Sequence, residues 1–124
     1  MIKKGEIWLV RLDPTEGAEI SKKRPVAVVS NEAIIAVVND DDIGALPLKI
    51  IVPLSEWKDR YSVAPWHVPI NATAKNGLDK KSTADTFQVR SISEERFIHK
   101  IGSLLPEELE EIKKGLSICL CIGQ

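Results

Sequence analysis

The chain carries little with which to build a metal centre, a disulfide framework or a membrane span. Its 124 residues include two cysteines and two histidines. Cys119 and Cys121 stand as C-x-C with no further ligand at usable spacing, so buried free thiols are expected, and neither a metal nor a cofactor. Aromatic residues make up only 5% of the chain, so a core has to be assembled from Val, Ile and Leu. The formal net charge of −1 removes bulk electrostatic attraction as a means of holding nucleic acid. No apolar run approaches the length of a spanning helix, and Lys3, Lys4, Glu6 and Arg11 interrupt the N-terminal apolar residues. No signal peptide or membrane segment is read there, and a cytoplasmic location is the expectation. Asp40-Asp41-Asp42 lacks the glycine and closing glutamate of a calcium loop and reads as a solvated turn.

What is present fits a single domain over residues 1–124 with one core. Residues 5–13 partly alternate and read as a first strand. A polar loop follows, and residues 25–30 are apolar on both faces, as in a central strand. Further strands are predicted over 46–54, 66–70, 82–92 and 97–105, and Asn76-Gly77 is a turn signal. Residues 32–38 fit either a helical turn or a strand, and 39–42 a polar turn. A helix is predicted from Pro106, with Glu107 and Glu108 in its first turn and Leu109, Ile112 and Leu116 on one face. Many short strands and one C-terminal helix predict a mainly β fold, a small and partly open barrel with the helix packed on it.

Arg24 and Pro25 open the most apolar of these strands. Proline fixes φ and lacks an N–H, so it is expected at a strand's first residue or edge. The Arg24 guanidinium is then expected at the strand mouth, beneath the loop 13–23 as a flexible lid. Its planar, permanently charged fork suits phosphate or carboxylate. Lys22 and Lys23 extend this into a local basic patch, and Lys80-Lys81 form a second small cluster. Trp57 and Tyr61, in the polar stretch 55–61, are side chains that either stack on nucleic-acid bases or pack half-buried. His67 and His99 have apolar neighbours and read as structural, hydrogen-bonded residues.

Read in order, the short motifs have a pattern. Gly5-Glu6-Ile7-Trp8 precedes Asp13-Pro14, Gly17-Ala18-Glu19 and Arg24-Pro25-Val26. Val52-Pro53-Leu54-Ser55 ends an apolar strand in a hydroxyl residue, and His67-Val68-Pro69-Ile70 follows. Gly77-Leu78-Asp79-Lys80-Lys81-Ser82 leads to Gln88-Val89-Arg90-Ser91-Ile92, and Leu105-Pro106-Glu107-Glu108 starts the helix. Over nearly the whole chain, this order resembles the MazF/PemK-like family, the endoribonuclease (mRNA interferase) toxins of type II toxin–antitoxin pairs.

The resemblance implies an SH3-like barrel, a homodimer, and metal-independent cleavage of single-stranded RNA at short preferred sequences. It also implies an antitoxin whose disordered tail blocks the RNA groove. The family's arginine falls on Arg24 and its strand-end threonine on Ser55, where the hydroxyl is kept and the methyl is not. RNA contacts fall on Gln88 and Arg90 of the Q-x-R stretch, with Lys22, Lys23 and Trp57 as further candidates. Some members carry an acidic residue just before that Gln, assigned as a base in one proposed mechanism, and this chain has Phe87 there. Asp85, two residues earlier and so on the same strand face, Glu19, and a phosphate oxygen of the substrate are the alternative proton acceptors. The resemblance also admits a non-catalytic relative on the same barrel, either an RNA- or protein-binding module or an inhibitor of DNA gyrase. The inhibitors act through an aromatic-bearing helix end, and no aromatic residue follows Phe97 here.

Overall fold

The computed structural model describes residues 1–31, 35–39, 42–45 and 47–123. Its centre is β5 (Leu48–Glu56), the longest strand, which pairs antiparallel with β2 (Lys23–Val28), β7 (Ser82–Asp85) and β8 (Arg90–Ser93). Adding β1 (Glu6–Arg11), β6 (His67–Ile70) and β9 (Phe97–Ser103) gives the order β6-β7-β5-β2-β1-β9, with β8 on β5. The two ends of that order do not pair with each other, so the barrel is open. β3 (Ile35–Asn39) and β4 (Asp42–Ala45) form a separate hairpin, which makes part of the ambiguous stretch 32–38 a strand. Residues 32–34, and Asp40 and Asp41 of the expected polar turn, lie outside the described residues.

The predicted strand over 82–92 is in fact two strands. Residues Thr86–Gln88 make a 3₁₀ turn, and β7 and β8 lie along the same side of β5, one at each end. Pro53 lies in the interval between them, where β5 has no N–H to offer. The even-numbered residues change face across the turn, with Ala84 in one core and Ile92 in the other, a switch that periodicity over 82–92 does not reveal.

Both faces of the sheet are covered, which explains why Val26, Ala27 and Val28 are all buried. One face presents Ile7, Ala27, Val52, Leu54, Val68, Ile70 and Ala84, capped by Ile112 of α1 (Pro106–Leu120). The other presents Val10, Leu12, Val26, Val28, Ile51 and Ile92, roofed by Trp8, Ile20 and Phe97. Scarce aromatics are thus used at the margin, with Trp8 edge-on to Phe97 at 5.7 Å. Leu109 and Leu116 join Ile112 against the first core, as the helical spacing predicts. The thiols are free but not buried: Cys119 is half-buried and Cys121 exposed, because the last helical turn runs past the core.

Glu6 is a nearly buried carboxylate on β1. Burial alone would push its pKa up, but the hydrogen bonds from Lys100, Trp8 and the Lys3 N–H prevail and hold it below the usual range. A depressed folded-state pKa stabilises above the unfolded value of about 4.5 and ceases to do so as pH falls through the folded value. Glu6→Gln should therefore cost about 1–2 kcal/mol near neutral pH. In thermal melts the gap between the two proteins should close on acidification.

Candidate active site

The β2–β5 ladder joins Val26 to Pro53, Ala27 to Val52 and Val28 to Ile51, and then stops. Carrying that register two residues further brings Arg24 level with Ser55, but there the strands have parted. The opening between them is a cavity of about 200 Å³ lined by Arg24, Ser55, Glu56, Asp79 and Lys80. Pro25 stands within β2, not at its start, opposite Leu9, at the point where the ladder to β5 is absent.

Arg24 is exposed, and its Nε donates a 3.3 Å hydrogen bond to the Ser21 carbonyl. Both Nη groups are without a partner among the described residues, so the guanidinium fork is available. Ser55 is half-buried inside β5, paired with Thr83 and not placed after the strand as the sequence had implied. Its hydroxyl has no partner among the described residues. The Lys80–Glu56 ion pair at 3.5 Å is exposed on both sides and weak enough to exchange for a phosphate.

A second cavity, of about 350 Å³, touches β5 at Pro53 and is lined by Glu19, Phe87, Gln88 and Arg90. Arg90 pairs opposite Ile51, and its Nη1 is buried without a hydrogen-bond partner. An orphaned guanidinium N–H is costly unless something fills it. Glu19 accepts from the Glu16 N–H at 2.8 Å while lining the same cavity.

Gln88 is engaged elsewhere. Its Oε1 accepts from the Ile20 N–H at 2.8 Å and its Nε2 donates to the Ala18 carbonyl at 3.1 Å. Arg96 holds the far end of the loop by donating to the Asp13 and Arg11 carbonyls. The loop expected as a flexible lid is therefore a clamped wall. Lys22 and Lys23 are exposed beside Arg24, and Lys22 adopts a left-handed φ of 68° while its carbonyl accepts from the Leu12 N–H.

Asp85 pairs opposite His67, and it shares the sheet face of Thr83 and Ser55, one step along. Its Oδ1 accepts from the Phe87 N–H at 3.2 Å, which caps the 3₁₀ turn. Trp57 is not brought to Arg24 and Ser55. It lies edge-on to Tyr61, with Lys81 over its ring at 4.8 Å, and lines a third cavity of about 690 Å³ with His67, Lys114 and Ile118. His67 is structural as expected, stacked on Tyr61 at 3.9 Å and hydrogen-bonded to Thr83 Oγ1, whereas His99 is exposed. Lys80 was read only as part of a surface cluster, and its place beside Arg24 depends on how the turn before β7 folds back. Among the described residues no three His, Cys, Asp or Glu side chains gather as a metal site. No helix there is long and apolar enough to cross a membrane.

Residues 3–120 match the PemK-like, MazF-like toxins of type II toxin–antitoxin systems. The chain belongs to this family. It is 34% identical over 120 residues to a Mycobacterium tuberculosis protein named Endoribonuclease MazF9, covering 97% of each chain. The fold is similar to that of MazF from Deinococcus radiodurans, with a TM-score of 0.74 at 20% identity, covering 98% of this chain and 97% of that one. It is also similar to a mycobacterial endoribonuclease solved with its cognate antitoxin, with a TM-score of 0.71 at 14% identity and coverage of 100% and 99%. The family's fold is thus the open barrel observed here.

Proposed function

We propose that the chain is a toxin endoribonuclease that cuts single-stranded RNA at a short preferred sequence without a metal. The observation that carries this is the pair at the strand opening: a free guanidinium fork and a free hydroxyl lining one small cavity, Arg24 and Ser55. In the reaction, the ribose O2′ attacks the adjacent phosphorus and the O5′–P bond breaks. The products are a cyclic phosphate and a 5′-OH, and the leaving oxygen takes up a proton. Arg24 offsets the charge that grows on the non-bridging oxygens, and Ser55 donates a hydrogen bond to one of them. Arginine stays protonated at neutral pH, so the proton of O2′ must go elsewhere. Asp85 remains the first acceptor to test, since it lies on the Ser55 face and its Oδ2 has no hydrogen-bond partner among the described residues. Glu19 and a substrate phosphate oxygen follow. Lys22, Lys23 and Arg90 supply positive charge along the same surface, Gln88 positions the loop wall, and Trp57 offers a more distant stacking ring.

The working unit is taken to be one domain over residues 1–124, paired as a homodimer in the cytoplasm. Ile118 and Leu120 in the last turn of α1 and Ile122 just beyond it are 42%, 55% and 59% exposed, which supports a second copy covering them. A cognate antitoxin is the further partner, supported by the antitoxin-bound relative. A second reading, a non-catalytic RNA-binding module, draws support from the engagement of Asp85 as a turn cap.

The test is incubation of the purified protein with a long single-stranded RNA in excess EDTA, mapping every new 5′ end. Recurrent cuts at one short sequence, with 5′-OH ends, are expected. RNA bound by the folded protein without new ends would favour the binding module instead.

A further inference from the structure

Of the six aromatic side chains, Phe87 is the one that is exposed, at 68%. In a chain this poor in aromatics, an uncovered phenyl ring at the mouth of a cavity requires a reason. The turn that carries it is held from several directions. The Thr86 N–H and Oγ1 both donate to the Trp66 carbonyl, at 3.1 and 2.7 Å, and Oγ1 also lies 3.5 Å from Cys119 Sγ of α1. The Phe87 N–H is bound by Asp85, and the Val89 N–H closes the turn on the Thr86 carbonyl. Trp66 supports the phenyl from one side, edge-on at 6.1 Å. A ring fixed in this way loses little conformational entropy on binding a flat partner.

Arg90 lines the cavity beneath it, and its Nη1 lies buried behind that lining without a hydrogen-bond partner. The cavity's contact with β5 at Pro53 is two residues, roughly 7 Å, from Ser55. That is about one nucleotide step along an extended strand. We propose that Phe87 is a stacking platform for the base next to the scissile phosphate, with Arg90 taking an acceptor of the same nucleotide. The proposal rests on the RNA-cleavage function above and adds to it a residue that sets which base is accepted. Stacking is tolerant of base identity, so discrimination comes from the ring together with the polar edge formed by Arg90 and Glu19.

The probe is a single-stranded RNA blocked by a 2′-deoxy sugar at the mapped cut, with 2-aminopurine beside it. Wild type should quench its fluorescence, and Phe87→Tyr should do the same. Phe87→Leu keeps apolar volume without a π face and should lose the quench. On cleavable RNA its KM should rise about tenfold, with kcat changed far less. Phe87→Ala should behave like Phe87→Leu, and 5′-end mapping should show both accepting more bases at that position. Sedimentation of each variant at micromolar concentration reports on the alternative role. If Phe87→Ala dissociates to monomers while Phe87→Leu retains both assembly and quench, Phe87 is a contact between copies and the platform is overturned. Unchanged quench and KM in both variants would overturn it as well. Failure of wild type to cut any RNA would instead remove the parent reading, so the two failures are distinct.

Discussion

Arg24→Ala is expected to slow RNA cleavage by about a hundred- to a thousandfold while leaving the melting temperature close to that of wild type. The side chain is exposed and packs little, so its loss leaves neither a cavity nor a buried orphan. What is removed is a permanent positive charge at the cavity where, in the proposed reaction, negative charge grows. A unit pair at about 4 Å and an effective dielectric near 20 interacts by roughly 4 kcal/mol before desolvation losses. Arg24→Lys should recover only part of the rate, since an ammonium offers a point charge without the fork that spans two phosphate oxygens. Ser55→Ala should lose less, about tenfold, and Ser55→Thr should keep activity because the hydroxyl stays in the cavity. Single-turnover cleavage of the mapped RNA site, with thermal melts of the same preparations, measures all four. Wild-type rates in Arg24→Ala would end the assignment of this cavity as the site of chemistry.

Gly102→Ala is expected to be severely damaging although it adds a single methyl group. A Cβ there would lie 2.5 Å from the carbonyl oxygens of both Asn76 and Lys75, and backbone cannot swing aside as a side-chain tip can. Asn76 is fully buried, and its side chain accepts from the Thr73 and Leu78 N–H groups and donates to the Asn71 carbonyl. Moving that turn would break a satisfied buried network, and the adjacent Ser103 N–H bond to Lys75 would be lost with it. Overpacking of this kind costs about 3 kcal/mol or more. Against a typical domain stability of about 5–15 kcal/mol, that means a melting point lower by about 10 °C or more, or insoluble protein. Gly17→Ala is the control. Gly17 also has a positive φ, of 55°, but nothing lies within 4 Å of the added methyl, so only about 1–2 kcal/mol of backbone strain is expected. Comparable melts for the two variants would show that the close approach at Gly102 relaxes readily.

Much of the candidate site was legible because its parts are local in sequence. Arg24 beside Pro25, the hydroxyl at Ser55 and the Q-x-R stretch could each be read from a few residues, and their order carried the family resemblance. The roles of Gln88, Trp57 and Phe87 were not legible, because each depends on what another element brings to it. Gln88 reads as a polar residue free for RNA until the loop 13–22 folds back and takes both ends of its amide. Trp57 reads as adjacent to Ser55, yet β5 ends between them and the ring turns toward α1. Phe87 reads as a position inside one strand over 82–92, standing in place of an acidic residue, until that strand breaks into a 3₁₀ turn and leaves its ring exposed.

The sequence by itself determined the mainly β class, the C-terminal helix, the reliance on Val, Ile and Leu for the core, and the basic triplet ending at Arg24. These follow from periodicity, composition and caps, which act over a few residues. Only the tertiary structure decided that Arg24 and Ser55 line one cavity, because that depends on where the β2–β5 ladder stops. It also decided that one strand's worth of sequence serves β5 twice, at β7 and β8, with Phe87 displayed at the joint. Both outcomes come from the curl of the sheet around two cores, a long-range balance of packing that no local window of residues encodes.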